Sequence, residues 1–221
     1  MMGFQKKKAI IFDFDGTLAV LNIDFLSIRE RIFQLINQYG VKEESLGEKY
    51  LLEIIDEVYQ ILLKNNSVEA KNFYANAHEI LYELEIEGAH KGNLFPQTKE
   101  TLKTLRDIGV KIGIVTRNCE EAVRIVFSNI DDFCDVFISR NSINKVKPHP
   151  EHLSRVINIL GVSSEEALMV GDHIIDIQTG KALGMSTVGV LTGRTKREEF
   201  EKVGANYIMR DISEVLNFFK E

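Results

Sequence analysis

The chain has 221 residues, of which 44% are hydrophobic and 27% charged, with a formal net charge of −6. This length and apolar share leave room for one large α/β domain, or for such a core carrying a smaller inserted domain. The acidic balance argues against broad, sequence-independent nucleic-acid binding, which needs a basic surface to displace counterions.

In chain order, Lys6-Lys7-Lys8 reads as a solvated entrance to a strand. The apolar run behind it, Ala9-Ile10-Ile11-Phe12, is too short for a secretory core or a membrane span. Rich in Ile and Phe, it predicts a buried strand. Asp13 and Asp15 follow two apart, so both carboxylates leave the strand end on one face. Gly16 then lets the chain turn without a Cβ penalty. In open α/β sheets this is a ligand address, because ligands bind outside the carboxyl ends of the strands. Two like charges in a buried setting call for a cation or a shared proton, and a divalent metal answers that need.

The next stretch is helical. Phe25, Ile28, Ile32, Leu35, Ile36 and Tyr39 repeat at helical spacing, and Gly40 closes them. Leu51, Ile54, Ile55, Val58, Ile61 and Leu62 form a second stripe. Phe73, Ala77, Ile80, Leu81 and Leu84 form a third, with Gly88 and Gly92 expected to loosen the chain beyond it. The result is an all-α helical cap inserted at 19–91, entered near Leu18–Asn22 and left near Gly88–Phe95. Two hinge strands there are expected to place the bundle over the carboxyl ends of the sheet. Asn22, Asp24, Arg29, His90 and Lys91 lie at the hinges or the cap edge and read as solvated surface.

From about Asn93, short apolar strands alternate with amphipathic helices: Val110–Thr116, Val136–Ser139, Ala167–Gly171, Thr187–Leu191 and Tyr207–Met209. This alternation implies crossover connections and a largely parallel, doubly wound sheet. The opening strand must join it, which makes 1–18 and 92–221 one core domain. Pro148 and Pro150 fit a helix entrance, and Thr195-Lys196-Arg197-Glu198 has the spacing of a capping box. Cys119 and Cys134 build neither a disulfide framework nor a metal-binding pair, which points to the cytoplasm.

Three further strand ends carry polar residues. Thr116-Arg117-Asn118 offers a hydroxyl and backbone donors at a helix entrance, a ready anion site. Lys147-Pro148-His149-Pro150-Glu151 holds a lysine at the mouth of another helix, with His149 and His152 taken as surface or helix-start residues. Gly171-Asp172-His173-Ile174-Ile175-Asp176 ends a strand in a glycine and then two acids.

The D-x-D-G-T-L stretch at Asp13, Thr116, the K-P-x-P-E stretch at Lys147 and G-D-x-x-x-D at Asp172 together resemble the four motifs of the haloacid dehalogenase-like (HAD) phosphohydrolases. The likeness covers nearly the whole chain, and its nearest shape is the phosphoglycolate-phosphatase-like branch with a helical cap between the first and second motifs. The resemblance implies a Rossmann-like α/β core and a Mg²⁺-dependent phosphatase acting on a small phosphorylated metabolite. It assigns Asp13 as the nucleophile, Asp15 as the proton-transfer group, and Thr116, Arg117 and Lys147 as phosphate-binding. Asp13, Asp172 and the backbone carbonyl of Asp15 are the implied metal ligands, and Asp176 supports them from behind. His173 departs from the Ser or Thr that relatives often carry there. The implied protein is a monomer or homodimer, independent of nucleic acid and membrane. Competing expectations are a phosphosugar mutase on the same fold, a dehalogenase, and a non-catalytic module that senses a phosphometabolite. Asp15 speaks against the dehalogenase, which does not need that acid.

Overall fold

The structure, a computed structural model, describes residues 7–47 and 50–219. In chain order its elements are β1 (Ala9–Asp13), β2 (Ala19–Val20), α1 (Phe25–Gln38), α2 (Leu51–Leu63), α3 (Ser67–Ala89), β3 (Asn93–Leu94), α4 (Thr98–Asp107), β4 (Lys111–Val115), α5 (Glu120–Val126), β5 (Val136–Ile138), α6 (Glu151–Leu160), β6 (Ala167–Gly171), α7 (Ile174–Ala182), β7 (Ser186–Val190), α8 (Arg197–Val203) and β8 (Tyr207–Met209). The chain divides into two compact units, one formed by the chain up to Leu21 and from Ala89 onward, the other by Asn22–Gly88.

The first unit is built on a parallel sheet with strand order β5-β4-β1-β6-β7-β8. Every residue of β1 is buried, as a central parallel strand with covered faces requires. Its neighbours β4 and β6 come from opposite directions of the strand order, so the carboxyl end of β1 is a topological switch point. The register places Asp13 beside Val115 and Phe12 beside Val170. Ala9, Ile11, Val115, Ile138 and Met169 pack in one apolar cluster with Leu153, Val156, Ile157 and Leu160 of α6. β2 and β3 pair antiparallel, Ala19 with Leu94 and Val20 with Asn93, where the chain leaves for the helices and returns. Thr98 Oγ1 donates to the Leu18 carbonyl at 2.6 Å and ties that junction to α4.

The second unit is helical. Ile28, Ile32 and Ile36 of α1, Ile54, Ile55 and Val58 of α2, and Phe73, Ala77 and Leu81 of α3 are buried. Asp24 caps α1 by accepting the Leu26 and Ser27 amides at 3.1 and 3.0 Å, so this acid has a structural task as well as a solvated position. Tyr39 meets Phe73 edge to face, with ring centroids 5.4 Å apart. Gly40 takes a left-handed φ of 73° just past α1, as a C-terminal stop does.

α3 ends at Ala89, one residue after Gly88, so the chain leaves its helix between Gly88 and Gly92. Two local expectations need correcting. α8 starts at Arg197, so the N-cap is Lys196, one residue later than the sequence spacing suggests; Glu199 reaches back to accept the Lys196 amide at 2.9 Å, the one half of a capping box that a lysine allows. His152, in the first turn of α6, is fully buried and not a surface residue.

At the chain entrance Lys7 donates to the Glu165 carbonyl and Lys8 pairs with Glu166, while Lys6 lies outside the described residues. Among the described residues no helix is long and apolar enough to cross a membrane. Cys119 and Cys134 are buried and form no disulfide.

Candidate active site

Asp13 is the last residue of β1, and Asp172 follows the last residue of the adjacent parallel strand β6. Two neighbouring strands therefore deliver two carboxylates to the same edge of the sheet. Asp176 joins them from the first turn of α7, where its Oδ2 accepts the His173 amide at 3.1 Å. Acceptor oxygens of Asp13, Asp172 and Asp176 all lie within 4.8 Å of one another. Lys147, only 1% exposed, donates through Nζ to Asp13 Oδ1 at 2.7 Å and to Asp176 Oδ1 at 2.5 Å.

Three buried carboxylates facing one ammonium leave an excess of negative charge. Burial, followed by the charge of Asp176, raises the Asp13 carboxyl above its ordinary range against the opposing pull of Lys147. Asp172 is raised well above that range by burial and then by Asp13, Asp176 and Asp15. Burial alone would lower the Lys147 ammonium, but Asp13 and Asp176 together outweigh it and raise the pKa, so this lysine stays charged. Hard carboxylate oxygens, crowded together and short of positive charge, fit a divalent cation such as Mg²⁺ or Ca²⁺.

The backbone around Asp172 is shaped for close approach. Gly16 has φ 86°, and a Cβ there would overlap the Asp172 carboxylate; a Cβ on Gly193 would do the same. Thr17, fully buried, donates to Asp172 Oδ1 at 3.1 Å and accepts the Asp172 amide at 3.0 Å. Thr192 Oγ1 donates to the Gly16 carbonyl at 2.5 Å, tying the loop after β7 to the turn after β1. The sequence reading passed over Thr17, Thr192 and Gly193. Thr17 stood inside the D-x-D-G-T-L stretch and was open to recognition. Thr192-Gly193 looked like any strand exit, and only the pairing of β6 with β7 brings it to Asp172.

The other sequence-predicted residues are also accounted for. The Asp15 carboxylate is not a member of the acidic group; it is partly buried and its Oδ1 accepts the Leu21 amide at 2.8 Å. Thr116, 1% exposed, sits directly after β4, with its Oγ1 accepting the Asn118 amide at 3.1 Å. The Arg117 guanidinium donates to the Lys147 carbonyl, and Arg140 Nη1 donates to the Arg117 carbonyl at 2.8 Å. His173, whose contact the sequence left open, caps α7: its Nδ1 accepts the Ile175 amide at 3.2 Å. Burial lowers the pKa of this imidazole, and the neutral ring is the form that accepts there.

The sequence model of the haloacid dehalogenase-like hydrolases matches residues 10–190. The chain belongs to this family. It is 29% identical over 214 residues to the pyrophosphatase PpaX of Bacillus mycoides strain KBAB4, an alignment that covers 96% of each chain. Among solved structures it is similar to a HAD phosphatase of Thermococcus onnurineus, with 27% identity, a TM-score of 0.62 and coverage of 96% of this chain and 97% of that one. It also superposes on a predicted phosphoglycolate phosphatase of Haemophilus somnus 129PT with a TM-score of 0.68, covering 99% of this chain and 100% of that one at 22% identity, a likeness of fold. For this HAD hydrolase the buried group of Asp13, Lys147, Asp172 and Asp176 at the switch point of the sheet is the candidate active site.

Proposed function

We propose that the protein is a Mg²⁺-dependent phosphatase that hydrolyses small soluble phosphomonoesters through an aspartyl-phosphate intermediate. The observation that carries this reading is the fully buried ammonium of Lys147 bridging Asp13 and Asp176 beside Asp172. The activities of similar proteins, a pyrophosphatase and a HAD phosphatase, favour a small phosphorylated compound as substrate. Two buried cysteines outside any disulfide are in keeping with the cytoplasm, and we expect a monomer or homodimer.

In this mechanism a carboxylate oxygen of Asp13 attacks phosphorus in line while the bond to the leaving oxygen breaks. The Asp15 carboxyl gives its proton to the departing alcohol. It then takes a proton from the water that attacks the aspartyl-phosphate, freeing inorganic phosphate and restoring Asp13. The Thr116 hydroxyl, the amides after β4, Arg117 and the Lys147 ammonium bind the phosphoryl oxygens as charge shifts between them. Asp13, Asp172 and the Asp15 carbonyl would hold Mg²⁺, with Asp176 orienting Lys147 and the loop at His173. When bound, the ion supplies charge neutralisation between the anionic nucleophile and the anionic substrate.

The test is a panel of initial rates on phosphoglycolate, sugar phosphates, nucleotides and pyrophosphate, with and without Mg²⁺. Release of inorganic phosphate that needs Mg²⁺ and disappears in Asp13→Asn supports the proposal. Isomerised sugar phosphate as the product favours a mutase, and undiminished hydrolysis by Asp13→Asn sinks the mechanism.

A further inference from the structure

His152 is a fully buried histidine among the residues around the site, and its two ring nitrogens meet the end of β5 and the segment that carries Lys147. Nδ1 lies 3.2 Å from the Lys147 amide nitrogen, and Nε2 lies 3.1 Å from the Ile138 carbonyl oxygen. A backbone N–H can only donate, so Nδ1 is the acceptor and the ring proton sits on Nε2, where it donates to Ile138. That carbonyl also accepts the Thr116 amide at 3.1 Å. One carbonyl, with two lone pairs, thus gathers a bond from Thr116 and a bond from the imidazole that holds Lys147. On the far side of Lys147 its carbonyl accepts the Arg117 guanidinium.

We infer that His152 is a positioning residue: it fixes the separation between the Lys147 ammonium and the Thr116 end of β4, and so the width of the phosphoryl site. This inference rests on the phosphatase reading above and deepens it. The backbone of Lys147 is gripped at its N–H by His152 and at its C=O by Arg117, and neither grip comes from regular secondary structure. Lys147 lies in the segment between β5 and α6 with no ladder hydrogen bonds to hold it. Without the imidazole the amide has no acceptor at that position, and the path of the ammonium toward Asp13 and Asp176 is no longer set. In-line phosphoryl transfer is sensitive to such shifts, because catalysis there is chiefly positioning and charge stabilisation. An apolar side chain of the same bulk could make neither of the imidazole's two bonds, so packing alone does not explain its presence.

The experiment compares wild type with His152→Leu, His152→Asn and His152→Gln. Leucine keeps the bulk and loses both bonds, asparagine keeps an acceptor near the Nδ1 position, and glutamine keeps a donor near Nε2. Three quantities are read: kcat and KM on p-nitrophenyl phosphate with Mg²⁺, the Kd of inorganic phosphate by calorimetry, and Tm. We expect His152→Leu to lower kcat by about 10- to 100-fold, to change KM less, and to weaken phosphate binding. His152→Asn should recover most of kcat even where its Tm stays low. Values of kcat and phosphate Kd in His152→Leu within about twofold of wild type overturn the inference. So do losses of kcat that simply follow the losses of Tm across the three variants. A wild type that hydrolyses nothing, yet binds phosphate more tightly than His152→Leu does, removes the phosphatase reading and keeps the positioning role. A wild type that neither hydrolyses nor binds phosphate removes both.

Discussion

Lys147 Nζ stands 2.5 Å from Asp176 Oδ1, and both side chains are 1% exposed. Taking two charges out of water is expensive, so such a pair holds only while both partners remain. Lys147→Met strands the carboxylates of Asp176 and Asp13 without their ammonium. Loss of one partner of a buried pair costs about 3–5 kcal/mol, so the urea midpoint of the metal-free variant should fall by a corresponding amount. Phosphatase turnover should drop by at least about 100-fold. A variant with wild-type stability and turnover contradicts the role given to Lys147.

The excess charge at Asp13, Asp172 and Asp176 makes a metal prediction. At about 100 times its Kd, Mg²⁺ should stabilise the wild type by about 2.7 kcal/mol, which for a domain of this size is roughly 5–10 °C in Tm. Asp172→Asn removes one of the proposed ligands and should lose most of that shift. Equal shifts in the two proteins, read by differential scanning fluorimetry, would exclude Asp172 as a ligand.

Gly193→Ala places a methyl group where the Asp172 carboxylate now lies. The carboxylate must swing away, and the Mg²⁺ concentration for half-maximal activity should rise about 10-fold. Activity titrated against Mg²⁺ gives the answer, and an unchanged midpoint counts against the close approach.

Asp15→Asn should separate the two half-reactions. Its amide accepts no proton from water, so hydrolysis of the phosphoenzyme should slow by about 10²–10⁴-fold. Acid-quenched protein after mixing with ³²P-labelled substrate should carry more label in the variant than in wild type. No accumulation of label assigns the second proton transfer elsewhere.

His152 contributes one share of the pH dependence of stability, in the same direction as His173 and opposite to Asp13 and Asp172, whose carboxyls are raised. Burial, followed by the charge of Lys147, lowers the His152 pKa from 6.5 to about 3. A folded-state pKa below the unfolded one leaves stability complete above pH 6.5, and removes it as pH falls from 6.5 toward 3, because only the unfolded chain takes up the proton. The slope in that window reaches about 1.4 kcal/mol per pH unit. His152→Gln has no such proton to take up. Its stability between pH 7 and pH 5, measured by urea unfolding, should therefore fall less steeply than that of wild type; parallel curves would falsify the assignment.

Much of the fold could be read from local pattern. The Ala9–Phe12 run, the apolar segments at Ala167–Gly171 and Tyr207–Met209, and the glycine after Tyr39 each have a backbone reason that depends on a few neighbours. The strand ends at Asp13, Thr116 and Asp172 were legible for the same reason, since a polar residue after an apolar run marks the sheet edge. Errors arose where the deciding force was not local. His152 is buried because α6 packs against the sheet through Leu153, Val156, Ile157 and Leu160, which no local pattern around His149 and His152 reveals.

By itself, then, the sequence determined which residue types stand at which strand ends: two acids two apart after β1, a hydroxyl after β4, a lysine before α6, and an acid after β6 with another four residues on. Periodicity and turn chemistry act over a few residues, and that range suffices for such statements. Only the tertiary structure decided that Asp176 faces Lys147 from within the acidic group, that Thr192 and Gly193 close on the turn at Gly16, and that His152 joins Lys147 to Ile138. Those contacts link residues whose separation along the chain carries no periodic signal. Sheet register and side-chain burial bring them together, and both are properties of the packed whole.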